Sequence, residues 1–353
     1  MEKRQLIIAI IIFLSNQITY AQIGGQYIFQ FLELSPSARL SSTGGNGIAW
    51  QGNDAGAAWQ NPSLLSEKLN TVITANHQNY FDGIKSGHFA YTHYLRKLCL
   101  TAQAGVHYYQ TGDIIRTDVY GENKGSFYGI ESAFYLAASK KINERITFGA
   151  TLNYISSSLD NYGASGLSLN TGVHYFIPEK NLGLAFNIRN LSYQINSYAN
   201  LKENTAPLTI EMGLSKRLKH LPLVYHLGLK HLEKWNLRYD NIDDNQSTSL
   251  FTESKSTNAF DKLLGNTFRH IGFGFELFLS KKENLVLRGG YNPLRSKDLA
   301  LVDYRAFSGI CAGFGIKVYK FKFDYGYSRY HLAGGTHHFG FSTDINSFLK
   351  NDL

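Results

Sequence analysis

The sequence predicts an all-β fold: a 14-stranded antiparallel transmembrane β-barrel with an N-terminal plug segment in its lumen. Three observations carry that expectation. Long segments after residue 70 alternate apolar and polar residues with period two. The connections between them alternate short and long. The composition is aromatic-rich and Gly-rich, with 23 Tyr, 23 Phe and 33 Gly against only 6 Pro in 353 residues.

The alternation is explicit in several places. Leu98, Leu100, Ala102, Ala104, Val106 and Tyr108 share one face, and Thr101, Gln103, Gly105 and His107 the other. Ile271, Phe273, Phe275, Leu277 and Leu279 alternate in the same way with Gly272, Gly274 and Glu276. A soluble sandwich alternates too, so length decides. Strands are expected at 71–81, 86–96, 98–110, 126–139, 145–157, 165–177, 181–190, 206–217, 222–234, 269–281, 284–292, 306–318, 319–330 and 336–348. Most are as long as the roughly 9–11 residues of a membrane-crossing strand and longer than the roughly 5–6 of an ordinary one. An even count suits a bacterial outer-membrane barrel.

Every second connection is short: 96–97, 140–144, 178–180, 218–221, 282–283 and the junction at 318–319. The others are mostly longer: 111–125, 158–164, 191–205, 235–268, 293–305 and 331–335, with 82–85 the short exception. Short periplasmic turns and long outer loops produce this parity when both termini lie in the periplasm.

The N-terminus reads as a signal peptide over 1–21. Lys3 and Arg4 precede a nine-residue apolar run, and Thr19-Tyr20-Ala21 is a small-residue cleavage site. Nine residues are too few to span a bilayer, and no run of 18 apolar residues exists elsewhere. Cys99 and Cys311 are the two cysteines, expected unpaired on lumen faces. The net charge of +8 is concentrated in the short turns, at Arg96, Lys97, Lys140, Lys141, Arg145, Lys216, Arg217, Lys219, Lys281 and Lys282. Those turns suit anionic headgroups or a periplasmic partner. Nucleic acid is not expected, since no basic helix or nucleic-acid motif is present.

The remaining parts follow in order: a plug over 22–70, the barrel over 71–348 and a C-terminal tail over 349–353. The plug is rich in Gly, Ala and Ser with little periodicity. A disordered tail is the simpler reading of such a segment. Trp50, Trp59, Leu64 and Leu65 favour a folded plug, because solvated tails seldom carry so many large apolar groups. Within it, Trp59, Asn61, Pro62 and Ser63 form the candidate plug motif. Asn at the cap and Pro at the first helical position start a short buried helix, whose neighbours must be small.

On these residues a resemblance enters. A plug ending in Asn-Pro-small ahead of 14 strands is similar to the fatty-acid-transporter-like superfamily of outer-membrane barrels; Ser63 stands where that superfamily usually has Ala. Within it, the chain resembles the PorQ family of the type IX secretion system. That likeness is carried by FQFLELSPSARLSSTGGN (29–46), WQNPSLL (59–65), SSLDNYGASGL (157–167), HLEKWNLRYD (231–240), LRGGYN (287–292) and YHLAGGTHHFGFS (330–342). The resemblance implies a barrel that holds a PorZ-like partner of the attachment complex at the outer membrane of a Gram-negative bacterium. It further implies a complex with a sortase and a second barrel, acting on cargo with a C-terminal signal. The superfamily itself implies the alternative, a transporter of hydrophobic small molecules.

No catalytic residue, metal site or cofactor is expected. His337 and His338 are adjacent on a strand and point to opposite faces, so they cannot serve one catalytic or metal centre. On the lumen face, Arg189, Glu211, Lys230, Glu276 and Arg288 fall on consecutive strands and alternate in sign. They form either a solvated scatter or an ion-pair ladder that clamps the plug or the wall. Outside, Phe260, Leu263 and Leu264 are spaced to share one face of a short helix in the loop over 235–268, a candidate partner-docking surface.

Overall fold

A computed structural model of the chain describes residues 27–198, 205–237, 259–280, 282–298, 308–331 and 334–349. The signal peptide, most of the outer loop over 235–268 and nearly all of the C-terminal tail lie outside the described residues.

Chain order starts with β1 (Val72–Asn79), β2 (Lys85–Leu95) and β3 (Leu100–Gln110), then the short β4 (Ile114–Thr117) and β5 (Asn123–Phe127). It continues through β6 (Gly129–Lys141), β7 (Ile146–Leu159), β8 (Tyr162–Ile177), β9 (Leu182–Asn196), β10 (Thr209–Arg217) and β11 (Leu223–Leu229). The last five are β12 (Ile271–Phe278), β13 (Leu285–Tyr291), β14 (Ile310–Val318), β15 (Phe321–His331) and β16 (Gly334–Asp344). All except β4 and β5 form one closed barrel of 14 antiparallel strands, each paired to its sequence neighbour in the wall, with β1 closing on β16. Closure leaves no sheet edge unpaired, the condition for burying backbone in lipid.

The wall obeys the period-two rule apart from register shifts between β8 and β9 and between β15 and β16. In β7, Thr147, Thr151 and Asn153 point inward and are buried, while Phe148, Leu152 and Tyr154 point outward and are exposed. In β12, Glu276 is buried inside and Phe273 and Phe275 are exposed outside. Large apolar side chains around the whole outer surface, from Phe89 to Phe339, are stable only against hydrocarbon. The short turns, from 96–99 to 319–320, share one end with both ends of the barrel chain.

Strand limits differ from the expectation where the outer ends are concerned. The connection expected over 158–164 is a two-residue turn, Asp160-Asn161, with Asp160 at φ 52°. Its strands simply continue outward, since hydroxyl-rich segments pair as well in water as in the wall. β9 likewise runs on to Asn196, and the loop over 111–125 contains the β4–β5 hairpin. In contrast β11 stops at Leu229, so Lys230 stands just beyond the strand expected to hold it. Cys99 is a further correction. It is exposed in the turn before β3, at φ 49°, because a 3-10 turn over Arg96–Leu98 intervenes before the ladder starts at Leu100. Cys311 is buried on the lumen side, and both thiols are free.

Placing Arg at Phe148, Leu152, Phe275 or Leu277 is expected to cost about 2–4 kcal/mol if the site lies near mid-membrane. Urea titration of the barrel refolded in vesicles reads this directly. Near-neutral effects at all four positions would contradict the outward register.

Candidate functional site

The N-terminal segment folds inside the barrel. Ser37 caps α1 (Ala38–Ser42), its hydroxyl accepting from Leu40 N at 3.1 Å and donating to Asp54. Further along, Asn61 Oδ1 accepts from Ser63 N at 3.0 Å and from Ser63 Oγ at 2.6 Å, which closes a 3-10 turn over Pro62–Leu64. Asn61 Nδ2 donates to Ile48 O at 2.8 Å, tying the turn to another pass of the plug. Asn61, Ser63 and Trp59 are all buried. Trp59 stands edge-on to His107 and Tyr135, with ring centroids 4.7 and 5.2 Å away.

Small neighbours are needed, and the wall supplies glycine. A Cβ on Gly149 would sit 2.4 Å from the Pro62 carbonyl carbon, and one on Gly172 2.4 Å from Asn61 Oδ1. The same holds around the lumen: Gly183 faces Ala49 O, Gly290 faces Thr43, and Gly326 faces Ala38 O. These contacts bring plug backbone against strand backbone.

The lumen charges divide into two groups. Glu276 accepts from Arg39 Nε at 2.9 Å, from Arg288 Nε at 3.1 Å and faces His226 Nε2 at 3.0 Å. Arg288 reaches on to Asp324 at 2.7 Å, and Lys322 pairs with Asp324 at 3.0 Å. Arg39 belongs to the plug, so this chain of charges joins plug to wall. Separately, Arg189 lies 3.7 Å from Glu211 and donates to Leu32 O at 2.8 Å. Lys230 joins neither group, so the five residues do not form one continuous ladder. Its strand has ended, and it opens instead onto a cavity.

That cavity, of about 650 Å³, lies between the plug and the outer rim. Its walls come from the plug (Glu33, Ser41, Gly44), the outer parts of β9 and β10 (Arg189, Glu211), Lys230 and His231 beyond β11, Arg269 of α2 (Ala259–His270) and Arg295 of α3 (Pro293–Asp298). Burial opposes a charge on His231. The hydrogen bond to Glu233 at 3.1 Å and the nearby carboxylates of Glu33 and Glu233 overcome that, and its pKa lies above the ordinary imidazole value. The contact with Glu233 therefore contributes fully below about pH 6.5 and is lost as pH rises through the folded value.

At the rim, the expected helix is present as α2, longer than the three-residue pattern implied. Leu263 and Leu264 are exposed on it, and Phe268, one turn on from Leu264, extends the same face. The side chain of Phe260 lies outside the described residues. Asn266 fixes the helix by holding Leu237 N at 2.9 Å and donating to Trp235 O. His337 faces out beside Tyr325, while His338 is buried inside. Among the described residues no group of three or more His, Cys, Asp or Glu side chains is placed to hold a metal ion. Sequence reasoning missed Arg39, His226 and Asp324. The signal for Arg39 was a lone arginine in a run of Ser, Ala and Leu.

Two pairs of substitutions probe this site. Glu276→Gln, which takes from Arg39 its close carboxylate and leaves Arg288 with Asp324 alone, is expected to cost about 3–5 kcal/mol. Lys322→Gln, at the partly exposed end of the same chain, is expected to cost less than about 1 kcal/mol. Gly172→Ala is expected to destabilise by about 1–3 kcal/mol through collision with Asn61. Gly163→Ala, whose Cβ would meet nothing closer than 3.8 Å, serves as the control. Equal effects within either pair would contradict the geometry.

No protein-family model matches the chain, and no curated protein does. Solved structures do. The Pseudomonas putida toluene transporter TodX is 12% identical with a TM-score of 0.50, over 86% of this chain and 95% of that one. A deltaS2 mutant of the TodX monoaromatic hydrocarbon channel is 12% identical with a TM-score of 0.51, over 88% and 97%. At that identity the likeness is one of fold. With the closed 14-stranded wall and its apolar outer face, it makes this chain an outer-membrane β-barrel.

Proposed function

We propose that the chain is a non-enzymatic outer-membrane barrel that anchors a partner protein at the cell surface, as the resemblance to the PorQ family implies for a PorZ-like partner. The observation that carries this reading is the lumen. The plug is joined to the wall by a buried charge chain through Arg39 and Glu276, and the space above it is lined by charged groups. A route for hydrophobic molecules calls for an apolar pocket, because each unpaired charge along it would have to be passed. The exposed Leu263, Leu264 and Phe268 on α2 offer the apolar centre of an outer docking face.

The second reading is transport of hydrophobic small molecules. The fold likeness to TodX favours it, and the comparisons lean to it more than to anchoring. An apolar groove of about 480 Å³ on the outer wall, between Tyr91, Ala104, Leu136 and Leu152, gives such molecules a lipid-side contact.

One pair of measurements separates the two. Affinity isolation from detergent-solubilised outer membrane is expected to recover a surface partner with the wild-type barrel and to lose it with Leu263→Asp/Leu264→Asp. Vesicles carrying the protein are expected to take up toluene no faster than empty vesicles. Uptake above that background, with no partner recovered, would replace anchoring by transport.

A further inference from the structure

The outward cavity has an excess of positive charge. Among the described residues its lining holds four cations, Arg189, Lys230, Arg269 and Arg295, against two carboxylates, Glu33 and Glu211. Both carboxylates are already engaged. Glu211 is shared by Arg189 and by Asn187 Nδ2 at 3.2 Å, and Glu33 accepts from Thr209 Oγ1 at 3.0 Å. Lys230 is different. Its backbone is fixed, N donating to His270 O at 3.0 Å and O facing His270 Nδ1 at 2.7 Å. Its ammonium group lies over Gly45, so close that a Cβ there would be 2.5 Å from Nζ. Among the described residues none lies within hydrogen-bond or ion-pair distance of that ammonium group; the carboxylate of Glu211 attracts it from farther off. Across the cavity Arg295 is held flat, its guanidinium 3.8 Å from the centroid of the Tyr330 ring and one terminal nitrogen donating to Cys311 Sγ at 4.0 Å, which leaves its remaining donors to face the space. A half-buried ammonium group whose nearest carboxylate, Glu211, is already shared with Arg189 and Asn187 is costly to keep, and a planar guanidinium fixed on an aromatic ring is pre-organised to take a two-oxygen anion.

We propose that this cavity binds a small, water-soluble anion bearing carboxylate or phosphate groups, with Lys230 and Arg295 as its contact residues. Its volume falls within the roughly 300–1,000 Å³ of small-molecule sites. The lining argues for a hydrophilic ligand: Gln30, Gln60 and Gln78 add amide groups to the cations, and apolar side chains are few. Arg189 stays with Glu211 and Leu32 O and keeps the floor of the site in place. The proposal is independent of whether the barrel anchors a partner or carries hydrocarbons.

The test is isothermal titration of the purified full-length protein in zwitterionic detergent with citrate and, separately, inorganic phosphate, with sucrose as the neutral control. Saturable binding of at least one anion is expected, and the stronger of the two identifies the headgroup. Lys230→Gln and Arg295→Gln are each expected to weaken it by about tenfold or more, the loss of one charge-assisted hydrogen bond. Lys140→Gln, on an exposed periplasmic turn, is expected to leave binding unchanged. Heat-modifiable mobility shows that each variant is a folded barrel. If Lys230→Gln fails to fold, Arg295→Gln decides the matter, since Arg295 lies on a short rim helix outside the wall. Absence of binding by both anions up to about 10 mM, or wild-type binding by the folded variants, overturns the proposal.

Discussion

The carboxylate of Glu276 is the point on which the lumen depends. It is buried and receives a plug arginine, a wall arginine and a wall histidine at once. Burying one carboxylate costs several kcal/mol, and the cost is offset only if its lone pairs are filled. Arg288 and His226 are partners within the wall, on the two strands that flank β12. Arg39 comes from a segment more than 200 positions away in sequence, with |i−j| of 237. Its pairing gives the plug one register relative to the wall, because a shift of one strand would leave Arg39 buried away from its close carboxylate and Glu276 short of one donor pair.

The wall makes room for that register. Polar lumen faces are read easily from alternation, but the glycines among them have a second use. At Gly149, Gly172, Gly183, Gly290 and Gly326 the absent side chain is replaced by plug backbone or by Asn61. A 14-stranded barrel is too wide for its own side chains to fill. Filling it with a folded segment requires either long side chains from both partners or close backbone approach. This chain combines the two: aromatic packing of Phe31, Trp59 and Tyr135 near β3 and β6, and glycine contacts elsewhere.

Much of this was legible in the sequence, for physical reasons. Period two is imposed by the pleat, so Phe148, Leu152 and Phe275 could be assigned outward and Glu276 and Arg288 inward without coordinates. The cap at Asn61 and the first-turn Pro62 are local chemistry, and in the structure they open a three-residue 3-10 turn where a short helix was expected. Strand ends were less legible. Nothing in the alternation marks where pairing outlasts the membrane, which is why β9 runs to Asn196 and β11 stops before Lys230. Arg39 was missed because it lies outside any periodic segment, and its partner is defined only by the fold. The lone position of Lys230 was hidden for the same reason, since sign alternation along successive strands says nothing about height in the barrel.

The central claim is that plug and wall are coupled through Arg39 and Glu276. A double-mutant cycle with Arg39→Met and Glu276→Met, read by urea unfolding of the refolded barrel in vesicles, measures that coupling directly. The account predicts an interaction energy above about 1.5 kcal/mol, as for contacting residues in one buried network. Effects that add to within about 0.5 kcal/mol would contradict it, and would mean that the plug is held without the charge it buries.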